Sequence, residues 1–488
     1  MRMWSILGAL GVATTLAIPA WAQDAGLEDR VKKLEDAIRK TQEQERPEGQ
    51  VERREEAPRT GHAPSGTGPI TEIKVERAGE EKVPLSFGST GSGKLIYAKP
   101  FLSAPKSTIG GYGDIQFNAL TGPNLDNRAR NTFNQVRMIP FIYADITDRV
   151  KFATEIEFER GGTNNNQSDG EIKLEFAQID YLVNEMVNLR AGIILVPVGK
   201  FNLLHDSPLN DLVDRPMVSR LIIPSTWSEA GAGIYGTLYP SRLSKLDYEF
   251  YVVNGFQSTN SSGAPISPSD TNGLRSVRGS AARDPIDNKA VVGRVAFSPM
   301  LGIEVAGSAF YGQWNNKGPG GVNNRSDYIG IYALDWTLQK GPFELIGEAA
   351  WSRIEGNNVA GSFAPRGPVG MQGYYVQGNY HFMPEFLKKL APTHFTDAST
   401  FTAVIRWERV DTDTTNLTST ATNGNQRELE RLTIGLNFRP IEDTVFKFDY
   451  QFNTQKDTPI TNFVNNPAGN ITTGLHGNGF MFMAATYF

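Results

Sequence analysis

The 488-residue chain contains no cysteine. That absence excludes a disulfide scaffold, thiolate metal centres and a cysteine nucleophile. Histidine is scarce, at five residues, so a histidine-rich metal site is not expected, and no cofactor motif is found. A surplus of positive charge is missing too: 48 Lys and Arg stand against 53 Asp and Glu, a formal net charge of −5. Nucleic-acid binding, which depends on neutralising phosphates, gains nothing from that balance. Long hydrophobic runs are also absent. Past the N-terminus no stretch of about 18 uncharged apolar residues occurs, so no transmembrane helix is expected. What stands in excess is glycine, at 49 residues, and aromatic residues, at 10%.

The first residues read as an export signal. Arg2 supplies positive charge, Ile6 to Ile18 form a mostly apolar uncharged run, and Ala20-Trp21-Ala22 ends in the small-x-small pattern of a cleavage site. The run is too short for a membrane span and Pro19 interrupts it. Residues 1–22 are therefore expected to be removed, and no cysteine follows to anchor a lipid. Residues 23–46 read as a charged periplasmic helix whose Leu27, Val31, Leu34 and Ile38 recur at four, three and four, the seam of a short coiled coil. So short a helix is marginal alone, so self-association beside a larger interface is expected. Residues 47–106, with Pro47, Pro58, Pro64 and mixed charge, read as a flexible linker.

From Ile109 the pattern changes. Short segments alternate apolar and polar residues, each bounded by Gly, Asn, Asp, Ser or Pro. Phe401, Ala403, Ile405 and Trp407 alternate with Thr402, Val404, Arg406 and Glu408. Phe446, Phe448, Tyr450 and Phe452 alternate with Lys447, Asp449, Gln451 and Asn453. This is the dyad signature of a transmembrane antiparallel β-barrel. About sixteen strands are predicted, near 109–119, 132–146, 149–160, 171–184, 187–196, 230–240, 244–255, 287–298, 302–314, 326–339, 343–354, 371–383, 399–410, 427–440, 443–455 and 476–488. Connections alternate short and long, as expected of tight periplasmic turns and longer outward loops. A phase change near Phe176 predicts a bulge, and Pro384 to Ser399 a short periplasmic helical turn. Trp314, Trp336, Trp351 and Trp407, with Tyr311, Tyr328, Tyr374 and Tyr487, are expected at the bilayer interfaces.

The fold class is thus all-β, a barrel of about 16 strands over 107–488. A barrel of that size leaves an aqueous channel. The third outward loop, 197–229, is the longest early connection. It is expected to constrict the pore with Lys200, His205, Asp206, Asp211, Asp214, Arg215, Arg220 and Glu229, whose mixed signs set a transverse field. Arg137, Lys151, Glu155, Glu157, Arg294, Arg406, Arg431 and Lys447 are expected to face the lumen. Loops 256–286 and 456–475 are long enough for surface contacts.

Leu189-Arg-Ala-Gly-Ile-Ile-Leu-Val-Pro-Val-Gly-Lys-Phe, Asp214-Arg-Pro, Pro224-Ser-Thr-Trp-Ser-Glu-Ala-Gly, Gly233 and the opening Gly110-Gly-Tyr-Gly-Asp-Ile resemble the porin O/P-type (phosphate-selective porin-like) outer-membrane family. The last strand, Gly479-Phe-Met-Phe-Met-Ala-Ala-Thr-Tyr-Phe488, resembles the terminal strand of such barrels. The resemblance covers about 107–488 and implies a sixteen-stranded trimeric channel; in some members the channel selects phosphate through lumen arginines and clustered lysines. Here Glu155, Glu157 and Glu159 share those strands, so the channel is carried over and the solute is not.

The expected function is passive diffusion of small hydrophilic solutes or ions through the outer membrane, without catalysis. The expected partners are lipid, lipopolysaccharide, two further copies of the chain, and peptidoglycan through the N-terminal arm. The alternatives are a barrel serving as receptor, adhesin or scaffold, or a hydrolase using His205 and Asp206 with Ser207 or Ser219. No nucleic acid is expected.

Overall fold

Sixteen strands form in the computed structural model, which describes residues 107–120, 131–160, 170–259, 266–269, 272–278, 287–315, 326–356, 369–414, 428–455 and 478–488. They are β1 (Ser107–Leu120), β2 (Asn131–Asp145), β3 (Val150–Glu159), β4 (Glu171–Leu182), β5 (Asn188–Leu195), β6 (Ser228–Leu238), β7 (Lys245–Asn254) and β8 (Lys289–Met300). The second half holds β9 (Ile303–Asn315), β10 (Asp327–Lys340), β11 (Phe343–Ile354), β12 (Gly370–Phe382), β13 (Thr400–Asp411), β14 (Glu428–Ile441), β15 (Thr444–Gln455) and β16 (Gly479–Tyr487). Each strand pairs antiparallel with its neighbours in sequence, and β1 pairs with β16 to close the barrel. The predicted signal, coiled-coil seam (Leu27, Val31, Leu34, Ile38) and linker, and the tips of most outward loops, lie outside the described residues.

The period-two pattern becomes the two faces of the wall. In β13, Thr402, Val404, Arg406, Glu408 and Val410 are buried, while Ala403, Ile405, Trp407 and Arg409 are exposed. Ile405, Leu334 and Phe448 are about half exposed on the outer face. Outward apolar side chains of this kind are what a bilayer covers. The tight turns have local causes. Thr147 Oγ1 accepts the N–H of Val150 at 2.9 Å, and Asn184 Oδ1 accepts those of Met186 and Val187 at 2.8 Å each. A polar side chain thus replaces a backbone acceptor in each turn.

The predicted phase change in β4 is a bulge. Glu155 pairs with Phe176 and Ile156 with Leu174, leaving Glu175 as the extra residue. Glu175 and Phe176 are consequently both buried, whereas regular alternation would send one outward. The predicted periplasmic turn holds helix α3 (Glu385–Leu390).

Two aromatic expectations are corrected. Trp314 is fully buried inside the barrel, with Nε1 donating to the carbonyl of Glu355 at 2.9 Å. The Tyr487 hydroxyl donates inward to Asp206 at 2.9 Å. Both strand ends are covered by chain folded into the lumen, so their rings face protein rather than headgroups.

Candidate channel interior

The segment between β5 and β6 runs through the inside of the barrel. It carries two short helices, α1 (Lys200–Leu203) and α2 (Met217–Leu221). Gly199 makes the entry turn at φ +69°, and a Cβ there would sit 2.3 Å from Glu348 Oε2. The segment is rich in apolar residues for a loop, and that composition is explained by burial. Val198, Val218, Ile222 and Ile223 are fully buried against inward residues of β8 to β14. Trp227 stacks on Phe256 at 4.7 Å and tilts against Phe310 of β9 at 4.8 Å.

Carboxylates of the wall hold this chain in place. Glu348 of β11 accepts the N–H of Phe201 at 3.1 Å and the hydroxyl of Ser219 at 2.5 Å. Glu408 of β13 accepts the N–H of Met217 at 2.6 Å, and Asp449 of β15 that of Val213 at 2.5 Å. A buried carboxylate is costly unless its oxygens are satisfied; here the segment's own backbone supplies donors. Strand alternation put Glu408 and Asp449 on the polar face but did not reveal that they, or Glu348, hold the segment. The signal for it was an apolar, helix-bearing loop between two barrel strands.

The residues expected in the third loop fall at different places along it. Lys200 Nζ donates to Thr337 Oγ1 at 2.7 Å and lies 3.3 Å from Glu304. Asp211 accepts from Asn379 at 2.8 Å and Gln377 at 3.3 Å. Asp214 accepts from Arg431 and Gln451 at 3.0 Å each. Arg215 Nη1 donates to Thr226 Oγ1 at 3.0 Å. His205 and Asp206 are buried against β4 and β16. Glu229 belongs to β6 and not to the loop; it is fully buried and accepts from Trp227 Nε1 at 3.0 Å.

Most of the predicted lumen cations are engaged in ion pairs or carbonyl contacts. Arg137 Nε lies 3.0 Å from Asp114, and its guanidinium also meets Ser207 and Glu157. Arg294 reaches Asp335 at 2.9 Å. Arg406 pairs with Glu408 at 3.2 Å and donates to the carbonyl of Asp214 at 2.9 Å. Arg431 joins Asp214, and Lys447 donates to the carbonyl of Ser207 at 2.7 Å. Lys151 pairs with Asp145 at 2.8 Å, close to the short-turn end of β2 and β3. Glu155 and Glu157 face inward and are buried.

The reading of 256–286 as a surface loop is corrected for its described residues. Phe256, Leu274 and Val277 are fully buried in the same apolar cluster as Trp227. Arg275 and Arg278 then donate to the carbonyls of Ser225, Pro224 and Thr226. Together with Arg215 and Arg220 they make a cationic cluster at the seam of the two inward loops. Burial pulls Arg275 well below its ordinary value, with Arg278, Arg220 and Arg215 adding like-charge repulsion. Burial likewise lowers Arg220 and Arg278, and like-charge repulsion from Arg215 lowers both further. Among the described residues, no carboxylate lies within ion-pair distance of Arg215, Arg275 or Arg278.

A cavity of about 170 Å³ runs beside the cluster. Arg137, Arg160, Lys173, Arg215, Arg220, Arg275 and Lys447 line it, against Glu157, Glu159, Glu171 and Asp214. Seven cations thus face four carboxylates, although the whole chain is net acidic. The serines of the hydrolase reading are engaged elsewhere: Ser207 Oγ donates to Asp114 and Ser219 Oγ to Glu348, at 2.5 Å each.

The family model for phosphate-selective porin O and P matches residues 109–476. An uncharacterized protein of Aquifex aeolicus (strain VF5) is 28% identical over 356 residues, 72% of this chain and 76% of that protein. Similar solved structures include the outer membrane channel DcaP of Acinetobacter baumannii, 11% identical with a TM-score of 0.44 over 78% of this chain and 97% of that one. The anion-selective porin from Comamonas acidovorans is 10% identical, with a TM-score of 0.45 over 78% of this chain and 100% of that one.

Proposed function

The chain belongs to the phosphate-selective porin O and P family and is an outer-membrane channel for small solutes, and we propose that this channel prefers anions and is narrowed by the inward segment between β5 and β6 together with the described part of 256–286. The observation that carries the preference is the cluster of Arg215, Arg220, Arg275 and Arg278 beside the cavity. Guanidiniums remain charged in proteins. When crowded and partly desolvated, they favour a passing anion over a passing cation. The family's phosphate chemistry fits this environment, since arginine forks match phosphate oxygens. The carboxylates on the β3 and β4 side leave the channel with two faces of unlike charge rather than a uniform ring.

Export through the signal at 1–22, a periplasmic arm at 23–46 and a homotrimer with Leu27, Val31, Leu34 and Ile38 at its seam complete the reading. What supports them is the sequence pattern of the N-terminal region and the outer-membrane setting of the barrel. The test is a reversal-potential measurement across a salt gradient on purified protein in planar bilayers. The expected sign is anionic, and Arg275→Gln and Arg215→Gln are expected to move it toward cations. A cationic wild type, or variants with unchanged potential, would remove the cluster from the solute path.

A further inference from the structure

The β4 bulge has a chemical consequence, because it turns Glu175 inward beside Glu155 of the neighbouring strand. His205 and Asp206 of the inward loop pack against the same spot. One ligand atom each from Glu155, His205 and Asp206 lie within 4.8 Å of one another. These three residues are at most 2% exposed. Two donors on one ion, each about 2.1 Å from it, stand at most about 4.2 Å apart, so modest side-chain rotation closes the set.

The histidine is already oriented for this. Its Nδ1 lies 3.0 Å from the carbonyl of Asn202 and donates to it, which leaves Nε2 as the nitrogen an ion would take by displacing the proton it shares with Glu175. Asn202 is itself fixed, donating to the carbonyls of Val196 and Trp227 at 2.8 and 2.9 Å. Nε2 points to Glu175, 2.7 Å from Oε2. The Tyr487 hydroxyl orients Asp206 in the same way, at 2.9 Å.

Two of the acids each carry one unpartnered oxygen. Oε1 of Glu155 and Oε1 of Glu175 are enclosed without a hydrogen-bond partner. The nearby guanidinium, Arg190, is held by both oxygens of Asp180 at 2.8 Å each. Lys173 lies 3.9 Å from Glu175 but bonds closely to Glu157. A cavity of about 50 Å³ opens on Glu155, His205 and Asp206, with Gln178 and Arg190 in its wall. That is room for an ion and a water. His205 also lines the larger cavity, which gives an entry path. Three buried carboxylates around one imidazole are costly without added positive charge, and a divalent cation supplies it.

We propose that Glu155, His205 and Asp206, completed by Glu175, bind one divalent transition-metal ion, which fastens the inward loop to β3 and β4. Imidazole with carboxylate donors and no sulfur suits Zn²⁺ or Mn²⁺ rather than Ca²⁺ or Mg²⁺. This does not rest on the anion preference, and it stands or falls separately from it.

The test uses the full-length folded protein in detergent, stripped with EDTA and dialysed against Zn²⁺ or Ca²⁺. Elemental analysis is expected to find about one Zn²⁺ per chain, with little Ca²⁺ retained. The unfolding temperature is expected to rise with Zn²⁺. His205→Gln and Glu155→Gln are expected to lose both the ion and the rise. Zinc-edge absorption spectroscopy on the wild type, expected to show one nitrogen and two or three oxygens at about 2.0–2.2 Å, covers variants that fail to fold. Absent Zn²⁺ retention, equal retention of Ca²⁺, unchanged Zn²⁺ content in both variants, or a multi-histidine zinc shell would each overturn the proposal.

Discussion

Glu348→Ala is the perturbation that tests most directly how the loop is held. The wild-type carboxylate accepts from Phe201 N at 3.1 Å and Ser219 Oγ at 2.5 Å, so one wall residue grips both short helices of the segment. Alanine leaves two buried donors without an acceptor, at about 1–3 kcal/mol each, or about 2–6 kcal/mol together. Removing a buried carboxylate also relieves a desolvation cost, so the lower end is the better guide. About 2 kcal/mol raises the population of loosened loop by about 30-fold. Glu348→Gln keeps the length and one acceptor oxygen and is expected to fall between the two. The assay is single-channel recording, with larger and noisier open levels expected for alanine, alongside barrel melting followed by heat-modifiable gel migration. Alanine traces that match wild type in conductance and noise would refute the idea that Glu348 positions the loop.

Three further outcomes are expected. Trp227→Ala removes the ring shared by Phe256 and Phe310; a loss of about 3–5 kcal/mol should appear as a lower melting temperature together with a larger conductance, since both inward loops are released. Gly111→Val should reduce the folded, heat-modifiable fraction, because a Cβ there meets the Ile139 carbonyl at 2.3 Å and the Phe488 ring at 2.9 Å, at the closing seam; a wild-type yield would show that the seam gives way. The anion preference should weaken as salt rises from 0.1 to 1 M, where the screening length falls from about 10 to about 3 Å; reversal potentials at matched gradients would reveal a preference that does not decay.

Much of the wall was legible because barrel strands obey a local rule. Side chains alternate across a strand, so Phe446, Phe448 and Tyr450 announce the outer face and Lys447, Asp449 and Gln451 the inner one without any knowledge of neighbours. The same rule exposed the β4 bulge, since an extra residue shifts the phase from Glu175 onward. Interior pairing obeys no such rule. Arg137 meets Asp114, Asp214 meets Arg431, and Trp314 turns away from the headgroups, each through contacts set by how chain folds into the lumen.

The sequence by itself determined the sixteen-strand architecture, the parity of its loops and its family, because these rest on periodicity, turn residues and short motifs readable along the chain. Only the tertiary structure decided that the described residues of 256–286 join the segment between β5 and β6 inside the barrel, and that Arg275 and Arg278 gather with Arg215 and Arg220. It alone placed His205 and Asp206 against Glu155 and Glu175. The physical reason is that the charge a solute or an ion meets depends on which distant groups share one low-dielectric space. A net charge of −5 spread over the chain says nothing about a cavity where cations outnumber acids.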